Sequence, residues 1–178
     1  MSIRVAINGF GRTGRAAFRA ALESGADIEW IAINDVVDPA MLAQLLKYDT
    51  VYGRFDRTVA AAEGGILVDG IEIATPMQSD PAELPWNELG VDVVIESTGR
   101  FRTRADAAKH LEAGARKVIV SAPAKEPDVT VALGINFEDY DPEQHHIISN
   151  ASCSSFATGA RQFVVHDAFE MMWCCSGS

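Results

Sequence analysis

The 178-residue sequence predicts an α/β fold, a doubly wound and mostly parallel sheet with a small antiparallel insertion. Three observations support this prediction. Short apolar runs alternate with helical patterns, which is typical of parallel strands joined by crossover helices. A glycine-rich turn connects the first apolar run to the first helical pattern. Two later apolar runs are separated by Asp69-Gly70, a dipeptide that favours a tight hairpin turn.

The individual elements follow from the local sequence. Apolar runs predict strands of the main sheet at 3–7, 28–33, 91–95, 117–120, 129–133 and 146–149. Helical spacing of apolar residues predicts helices at 15–24, 40–46, 104–113 and 152–169. The antiparallel insertion is predicted at 59–62, 66–68 and 71–74, and a proline-rich loop at 76–88. We expect one domain over 1–150, followed by a C-terminal extension over 151–178.

Composition excludes several classes of protein. Hydrophobic residues make up 48% of the chain and charged residues 22%, which is typical of a globular domain and not of a disordered one. The net charge of −10 argues against a broad basic surface, so we expect no nucleic-acid partner. We also expect no membrane span and no signal peptide. Three cysteines make no disulfide framework, which predicts a reducing, cytoplasmic setting.

The glycine-rich turn has the spacing of a dinucleotide-binding turn. It reads Gly9-Phe10-Gly11-Arg12-Thr13-Gly14, which matches G-x-G-x-x-G between a strand and a helix. Glycine at these positions permits a tight turn, a close approach of the backbone to a pyrophosphate, and close packing of helix on strand. The free N–H groups at the helix start attract phosphates. The alternative interpretation is a plain turn without a ligand.

Asp35 directly follows the second predicted strand, where a carboxylate can bind the ribose hydroxyls of an adenosine. A carboxylate at this position would repel a 2′-phosphate, so the sequence favours NAD over NADP as the cofactor. The alternative is that Asp35 caps the helix that follows. The surrounding pattern of strand, glycine turn, helix and strand favours cofactor binding.

Cys153 is the only cysteine outside the last five residues, and it lies at the predicted start of the last helix. A thiol at a helix start can become a nucleophile because the N–H groups and the helix dipole stabilise its thiolate. The other interpretation is a small buried residue among capping serines. The residues alone leave these two interpretations equally weighted.

The four histidines offer no convincing base for that thiol. His166 falls on another face of the predicted helix, about 20 Å along its axis. His145 and His146 fit a solvated turn, and His110 fits the exposed part of a helix in a structural role.

Several segments between residues 3 and 155 resemble the glyceraldehyde-3-phosphate dehydrogenase family. They are 6–15 (AINGFGRTGR), 33–35 (IND), 47–55 (KYDTVYGRF), 96–99 (ESTG), 121–125 (SAPAK), 134–136 (GIN) and 149–153 (SNASC). The combination is highly specific, since no other nicotinamide-dependent family shares the set. The resemblance implies a Rossmann-type NAD-binding domain.

The resemblance also implies a reaction and the residues that serve it. The family oxidises the aldehyde of glyceraldehyde 3-phosphate with NAD and inorganic phosphate, through a thioester on a cysteine. Cys153 would be that nucleophile, with Ser152 and Ser154 at the substrate phosphate. The residues implied at the NAD site are Asn8, Gly9, Phe10, Gly11, Arg12, Thr13, Gly14, Asp35, Ser97, Thr98, Gly99, Phe101 and Ser121. No metal is expected.

The sequence departs from the family pattern after Cys153. Ser154-Ser155-Phe156 stands where the family usually has Thr-Thr-Asn, and 170–178 resembles nothing in the family. Ser79 stands where the family often has an arginine beside the adenine. The family's general-base histidine and catalytic domain would lie beyond residue 178. We therefore expect NAD binding with little or no turnover.

Two alternatives stay open at this point. The chain is an active dehydrogenase if a base and a substrate pocket come from elsewhere, for instance from a partner chain. It is a non-enzymatic interaction protein with a relic cofactor site if its apolar tail drives self-association into a homo-oligomer. Titration with NAD and NADP, followed by a dehydrogenase assay, discriminates among the three.

Overall fold

Eleven strands and four helices make up the part of the chain that the computed structural model describes, residues 2–132 and 135–150. The strands are β1 (Ile3–Asn8), β2 (Ile28–Asn34), β3 (Tyr48–Asp49), β4 (Gly53–Arg54), β5 (Val59–Ala61), β6 (Gly65–Val68), β7 (Ile71–Ala74), β8 (Val93–Glu96), β9 (Lys117–Val120), β10 (Val129–Val131) and β11 (Ile147–Asn150). The helices are α1 (Arg12–Ser24), α2 (Pro39–Lys47), α3 (Trp86–Leu89) and α4 (Arg104–Glu112), with 3-10 turns at Pro81–Glu83 and Phe137–Asp139.

Nine of these strands form one sheet in the order β10-β11-β9-β8-β1-β2-β7-β6-β5. Pairing is parallel from β10 through β7, and antiparallel between β7, β6 and β5. The predicted fold class is confirmed: a doubly wound, mostly parallel sheet with a small antiparallel insertion at one edge. The insertion joins the parallel part through a single residue pair, Ala32 with Ala74.

The hairpin predicted from Asp69-Gly70 connects β6 and β7. Both residues have positive φ, +51° at Asp69 and +83° at Gly70, which a two-residue turn between right-twisted strands requires. The Asp69 carboxylate also accepts hydrogen bonds from the N–H and hydroxyl of Thr58, so the turn is held to the start of β5. Local chemistry was therefore enough to predict this hairpin.

The main sheet carries hydrophobic clusters on both faces. Alternate side chains of β1 divide between them, since Val5 and Ile7 join one cluster and Ala6 joins another. The first cluster includes Phe18 of α1, together with core residues of β2 and α2. On the opposite face, Trp86 of α3 packs in the cluster of Ala6. This layering fixes where each connecting loop leaves the sheet.

Three sequence predictions differ from the structure. The segment 76–88, predicted as a loop, contains the 3-10 turn Pro81–Glu83 and the first three residues of α3, because its prolines lie at positions that helix starts tolerate. The predicted exposure of His110 is wrong, since its side chain is completely buried. The first helix begins at Arg12, three residues before its predicted start, because its first turn is part of the glycine motif.

Several predictions fall outside the described residues. They are the helix at 152–169, the apolar tail proposed to drive homo-oligomer formation, the nucleophile Cys153, and the phosphate-site serines Ser152 and Ser154. None of the helices in the described ranges has the length and apolarity that a bilayer crossing requires.

Candidate functional site

The strand order reverses at β1, and doubly wound sheets form their ligand crevice at the carboxyl end of the strands at such a point. The chain runs from β1 to β2 on one side and later returns to β8 on the other. The loops after β1 and β8 therefore leave the sheet in diverging directions, which is where doubly wound sheets bind ligands. Ser97 N–H donates to Asn8 O at 2.8 Å, which ties the loop after β8 to the end of β1. Gly9 N–H donates to Asn34 O at 2.8 Å, which ties the loop after β1 to the end of β2.

Gly9 and Gly14 are required by packing within the chain. A Cβ atom at Gly9 would lie 2.5 Å from the backbone nitrogen of Thr98, and the φ of Gly9 is +91°. A Cβ atom at Gly14 would lie 2.5 Å from Gly9 O and 3.0 Å from Ser97 Oγ. The first and last glycines of the motif thus allow β1, α1 and the loop after β8 to meet in close contact.

Gly11 differs from the other two glycines because nothing in the described residues needs its missing side chain. A Cβ atom there would have no neighbour within 4 Å, and the φ of −69° suits any residue. Gly11 is exposed and forms the N-cap of α1 without a side-chain hydrogen bond. The residue keeps the backbone bare at a surface that faces the solvent.

The start of α1 leaves N–H groups available. Arg15 N–H donates to Gly11 O at 3.1 Å and is the first to make a helical bond. The N–H groups of Arg12, Thr13 and Gly14 therefore have no acceptor in the helix. The first turn of α1 contains no acidic residue, so the positive end of the helix dipole is not neutralised locally. An anion placed against Gly11 would meet these donors.

Asp35 lies beside this turn, at the end of β2. Its Oδ2 accepts the N–H of Phe10 at 2.7 Å, and its Oδ1 accepts the N–H of Val36 at 2.8 Å and that of Val37 at 3.3 Å. The helix cap that the sequence offered as an alternative belongs to Asp38, which accepts the N–H of Met41. Asp35 is half-buried, and a carboxylate has about four acceptor positions, so one on Oδ2 is left for a ligand.

The remaining predicted cofactor residues are distributed as follows. Ser97 uses its hydroxyl to donate to Gly9 O at 2.6 Å, and Thr98 donates its N–H to Glu96 Oε1 at 2.8 Å. Gly99 is exposed with φ of +72°, while Phe101 and Ser121 are half-buried. The Phe10 ring lies in the core against Phe18, with ring centroids 5.7 Å apart, so only the Phe10 backbone lines the turn.

Arginines on α1 give the crevice a positive side. Arg12 is exposed, and Arg15 donates from Nη1 to Phe10 O at 2.9 Å. Burial lowers the pKa of Arg15, while the nearby Asp49 carboxylate opposes that effect. The pKa of Asp49 is itself lowered, first by hydrogen bonds from the N–H groups of Tyr52 and Val51. A guanidinium titrates far above neutral pH, so Arg15 keeps its charge.

A buried polar network beneath the crevice was missed by the sequence analysis. Asn8 and Glu96, at the ends of β1 and β8, are joined by a 2.6 Å hydrogen bond from Nδ2 to Oε2. Glu96 Oε2 also contacts His110 Nε2 at 3.0 Å, and Trp86 Nε1 donates to His110 Nδ1 at 3.0 Å. Asn34 Nδ2 donates to Asn8 Oδ1 at 2.7 Å. The only available signal was the polarity of Asn8, Asn34 and Glu96 at the ends of buried strands.

The Asn8 side chain is therefore engaged within the protein. Its amide nitrogen and oxygen both have protein partners, and the residue is 2% exposed. Asn8 contributes to the site through the position of its backbone, which leads directly into Gly9. Within the described ranges, no group of three or more His, Cys, Asp or Glu residues could hold a metal ion.

Comparison with known proteins places this geometry in a family. The family model described as "Glyceraldehyde 3-phosphate dehydrogenase, NAD binding domain" matches residues 3–104. The chain is 53% identical over 169 residues to glyceraldehyde-3-phosphate dehydrogenase of Geobacillus stearothermophilus, and 53% identical over 169 residues to that of Streptomyces coelicolor. It is 49% identical over 169 residues to glyceraldehyde-3-phosphate dehydrogenase 1 of Bacillus subtilis.

Each of these three alignments covers 95% of this chain and 50% of the relative. The chain thus spans about half the length of the curated relatives that it matches. The matched family segment contains the glycine turn, Asp35 and the loop after β8, which are the elements that build the crevice. The chain belongs to the glyceraldehyde-3-phosphate dehydrogenase family and contains that family's NAD-binding domain.

Proposed function

We propose that this chain binds NAD in the crevice between the loops after β1 and β8. The observation that carries the proposal is that no packing contact within the described residues requires a glycine at position 11. An exposed glycine at an uncapped helix start is what a pyrophosphate needs, because the phosphate oxygens must approach the backbone N–H groups closely. The exposed guanidinium of Arg12 adds positive charge at the same place.

Asp35 supports a preference for NAD over NADP. The hydrogen bonds to Phe10, Val36 and Val37 fix the carboxylate beside the glycine turn and leave an acceptor position open. A ribose with two free hydroxyls can donate to that position. A 2′-phosphate would instead bring a second negative charge next to the carboxylate.

We further propose that the NAD site belongs to a dehydrogenase of the family's type, acting on glyceraldehyde 3-phosphate and inorganic phosphate. Bound NAD would supply the hydride acceptor. Cys153 would be the nucleophile that attacks the aldehyde, and Ser152 and Ser154 would bind phosphate oxygens. Ser152 and Cys153 belong to the family motif at 149–153, and Ser154 keeps a hydroxyl where the family usually has threonine. The family's cytoplasmic, reducing setting suits a thiol nucleophile.

We expect little or no turnover unless a general base and a substrate site are positioned beside Cys153. A positioned general base contributes about 10²–10⁴-fold in rate, and correct placement of the substrate contributes more. His110 cannot act as that base, because its ring is buried and both nitrogens are engaged with Trp86 and Glu96. Dehydrogenase activity that disappears in Cys153→Ser would contradict this part of the proposal.

The test of cofactor binding is calorimetric titration of the full chain with NAD and with NADP. We expect NAD to bind more tightly, and Asp35→Asn to narrow the NAD/NADP affinity ratio at least tenfold. Asn keeps an oxygen that can accept the Phe10 N–H, but its NH₂ group then faces the N–H groups of Val36 and Val37. The readout is therefore the NAD/NADP ratio within the variant, because a general loss of affinity would weaken both nucleotides alike. A wild-type chain that prefers NADP, or binds neither nucleotide, would refute the proposal.

Asp38→Asn is the matched control for that experiment. It removes the same charge three residues further along, and Asn caps a helix about as well as Asp. The NAD/NADP affinity ratio should stay within about twofold of wild type in this variant. If Asp38→Asn narrows the ratio as much as Asp35→Asn, general electrostatics and not the Asp35 carboxylate sets the preference.

A further inference from the structure

Glu96 is a buried carboxylate that accepts hydrogen bonds on both oxygens. Its side chain is 1% exposed. Oε2 accepts from Asn8 Nδ2 at 2.6 Å and contacts His110 Nε2 at 3.0 Å, while Oε1 accepts the N–H of Thr98 at 2.8 Å and the Thr98 hydroxyl. Burying a charged carboxylate is costly unless it is fully hydrogen-bonded. This arrangement therefore calls for a reason beyond filling space in the core.

Trp86 fixes the tautomer of His110, and the tautomer determines that His110 Nε2 donates a hydrogen bond to Glu96. An indole nitrogen can only donate, and Trp86 Nε1 lies 3.0 Å from His110 Nδ1. Nδ1 must then carry no proton, and the ring proton is on Nε2, which points at Glu96. Glu96 is thus surrounded by donors alone: an imidazole N–H, an amide NH₂, a backbone N–H and a hydroxyl.

The network connects the ends of β1 and β2 with the loops that follow β7 and β8. Asn34 holds the backbone of Gln78 through two hydrogen bonds of 2.8 Å, and it donates to Asn8. Asn8 donates to Glu96, and Glu96 holds Thr98. The Thr98 backbone in turn packs directly against Gly9, since a Cβ atom on Gly9 would lie 2.5 Å from the Thr98 nitrogen. A displacement of Glu96 would therefore move Thr98 relative to the glycine turn.

We infer that Glu96 is a positioning residue of the cofactor crevice, with His110 and Trp86 holding it in place. The inference rests on the proposed function, since it assigns these residues to the NAD site. Glu96 sets the separation between the loop after β8 and the glycine turn without touching the cofactor. A carboxylate can accept hydrogen bonds on both oxygens, so Glu96 binds Thr98 and Asn8 at the same time. These hydrogen bonds offset the free-energy cost of burying the carboxylate.

Glu96→Gln tests this assignment with almost no change in shape. One side of the amide remains an acceptor, but its NH₂ must face either the Thr98 N–H or the donors Asn8 and His110. His110 cannot relieve the conflict by moving its proton, because Trp86 occupies Nδ1 as a donor. We expect NAD affinity of the full chain to fall at least tenfold, and the Thr98 amide to exchange with solvent at least tenfold faster.

Val91→Ala is the matched control. Val91 is buried in the same cluster as Trp86, and it takes no part in the hydrogen bonds of Glu96 described above. The variant loses core packing, but its NAD affinity should change less than about twofold. Amide exchange at Thr98, measured relative to that of core amides in β8, should also change less than about twofold. Trp86→Phe is a second variant, which removes the indole donor together with part of the buried ring volume. Trp86→Phe should weaken NAD binding more than Val91→Ala does, although Trp86 lies in the core and does not line the crevice.

The outcomes separate the two proposals. If wild type binds no NAD, the proposed function fails, but amide exchange at Thr98 still decides whether Glu96 positions the loop. If wild type binds NAD and Glu96→Gln binds it equally well, the positioning role is wrong while the proposed function stands. If NAD affinity falls equally in Glu96→Gln and Val91→Ala, Glu96 contributes only to general stability and the positioning role is wrong. Should Glu96→Gln fail to fold, the comparison of Trp86→Phe with Val91→Ala decides.

Discussion

The helices α1 and α4 each begin after a parallel strand of the same sheet, and their N-termini are built in opposite ways. At α4, the Thr103 hydroxyl oxygen accepts the Asp106 N–H at 3.1 Å and donates its proton to the Asp106 carboxylate at 2.7 Å. Arg104 is tied to Asp128 by an ion pair of 2.8 Å. At α1, the N-cap is Gly11, which offers no side chain.

The N-terminus of α4 is built to stabilise the fold, whereas the N-terminus of α1 is open to a ligand. At the N-terminus of α4, the Thr103 side chain accepts the Asp106 N–H and Lys125 O accepts the Arg104 N–H. The acidic Asp106 also lies at the positive end of the helix dipole, and these features stabilise the helix. The N-terminus of α1 leaves the same groups unsatisfied, although a serine or aspartate at position 11 would meet no steric obstacle. The sequence forgoes that stabilisation where a bound pyrophosphate can supply the missing acceptor.

Replacing Gly9 should have the largest effect, on stability. In Gly9→Ala the new Cβ atom would lie 2.5 Å from Thr98 N, at a φ of +91° that an alanine adopts only under strain. We expect a loss of at least about 2 kcal/mol in the free energy of unfolding, measured by urea denaturation of the full chain. A variant as stable as wild type would mean that the loops after β1 and β8 are less tightly packed than described.

Replacing Gly11 should instead affect binding while leaving the fold intact. In Gly11→Ala the Cβ atom meets nothing within 4 Å, so the free energy of unfolding should stay within about 1 kcal/mol of wild type. NAD affinity should fall at least tenfold, because the methyl group occupies the surface that the pyrophosphate must approach. Calorimetric titration measures the affinity. Unchanged NAD binding in this variant would show that the ligand contacts another part of the chain.

The capped helix should show the reverse pattern. Thr103→Ala removes the side-chain acceptor at the start of α4, and we expect a loss of about 1 kcal/mol in stability. NAD affinity should remain within about twofold of wild type, because the proposed pyrophosphate contacts lie at the start of α1 and not at the start of α4. Denaturation and titration on the same sample check both parts. A drop in NAD affinity as large as that of Gly11→Ala would remove the distinction between the two helix ends.

The smallest expected effect depends on pH. Burial raises the pKa of Asp128, but the N–H groups of Ile147 and His146 and the guanidinium of Arg104 outweigh it, so the net pKa is lowered. The resulting stability is present above the ordinary carboxyl pKa and is lost as pH falls through the lowered value. The melting temperature of Asp128→Asn should therefore lie further below wild type at pH 7 than at pH 3. A gap that widens in acid would reverse the assigned direction.

The sequence predicted the parts of the site that depend on local chemistry. Glycine spacing and an acidic residue after the second strand were visible without tertiary information, and so was the Asp69-Gly70 turn. The bond from Asp35 to the Phe10 N–H was not visible, because it joins residues 25 positions apart through the pairing of two strands.

The Glu96 network was hidden for the same reason. His110 was interpreted as lying in the exposed part of its helix, yet the helix packs that ring against Glu96 and Trp86. Asn8 and Glu96 lie 88 positions apart and meet only because β1 and β8 are neighbours. Buried polar partners of this kind follow from sheet order, and sheet order is a property of the whole chain.

The most direct test of the account is a nuclear magnetic resonance titration of the ¹⁵N-labelled full chain with NAD. We predict that the backbone amide signals of Gly11, Arg12 and Thr13 shift strongly, while those of Arg104 and Asp106 at the start of α4 stay in place. Shifts of equal size at both helix starts, or shifts that leave the glycine turn unaffected, would contradict the claim that the bare N-terminus of α1 binds the pyrophosphate.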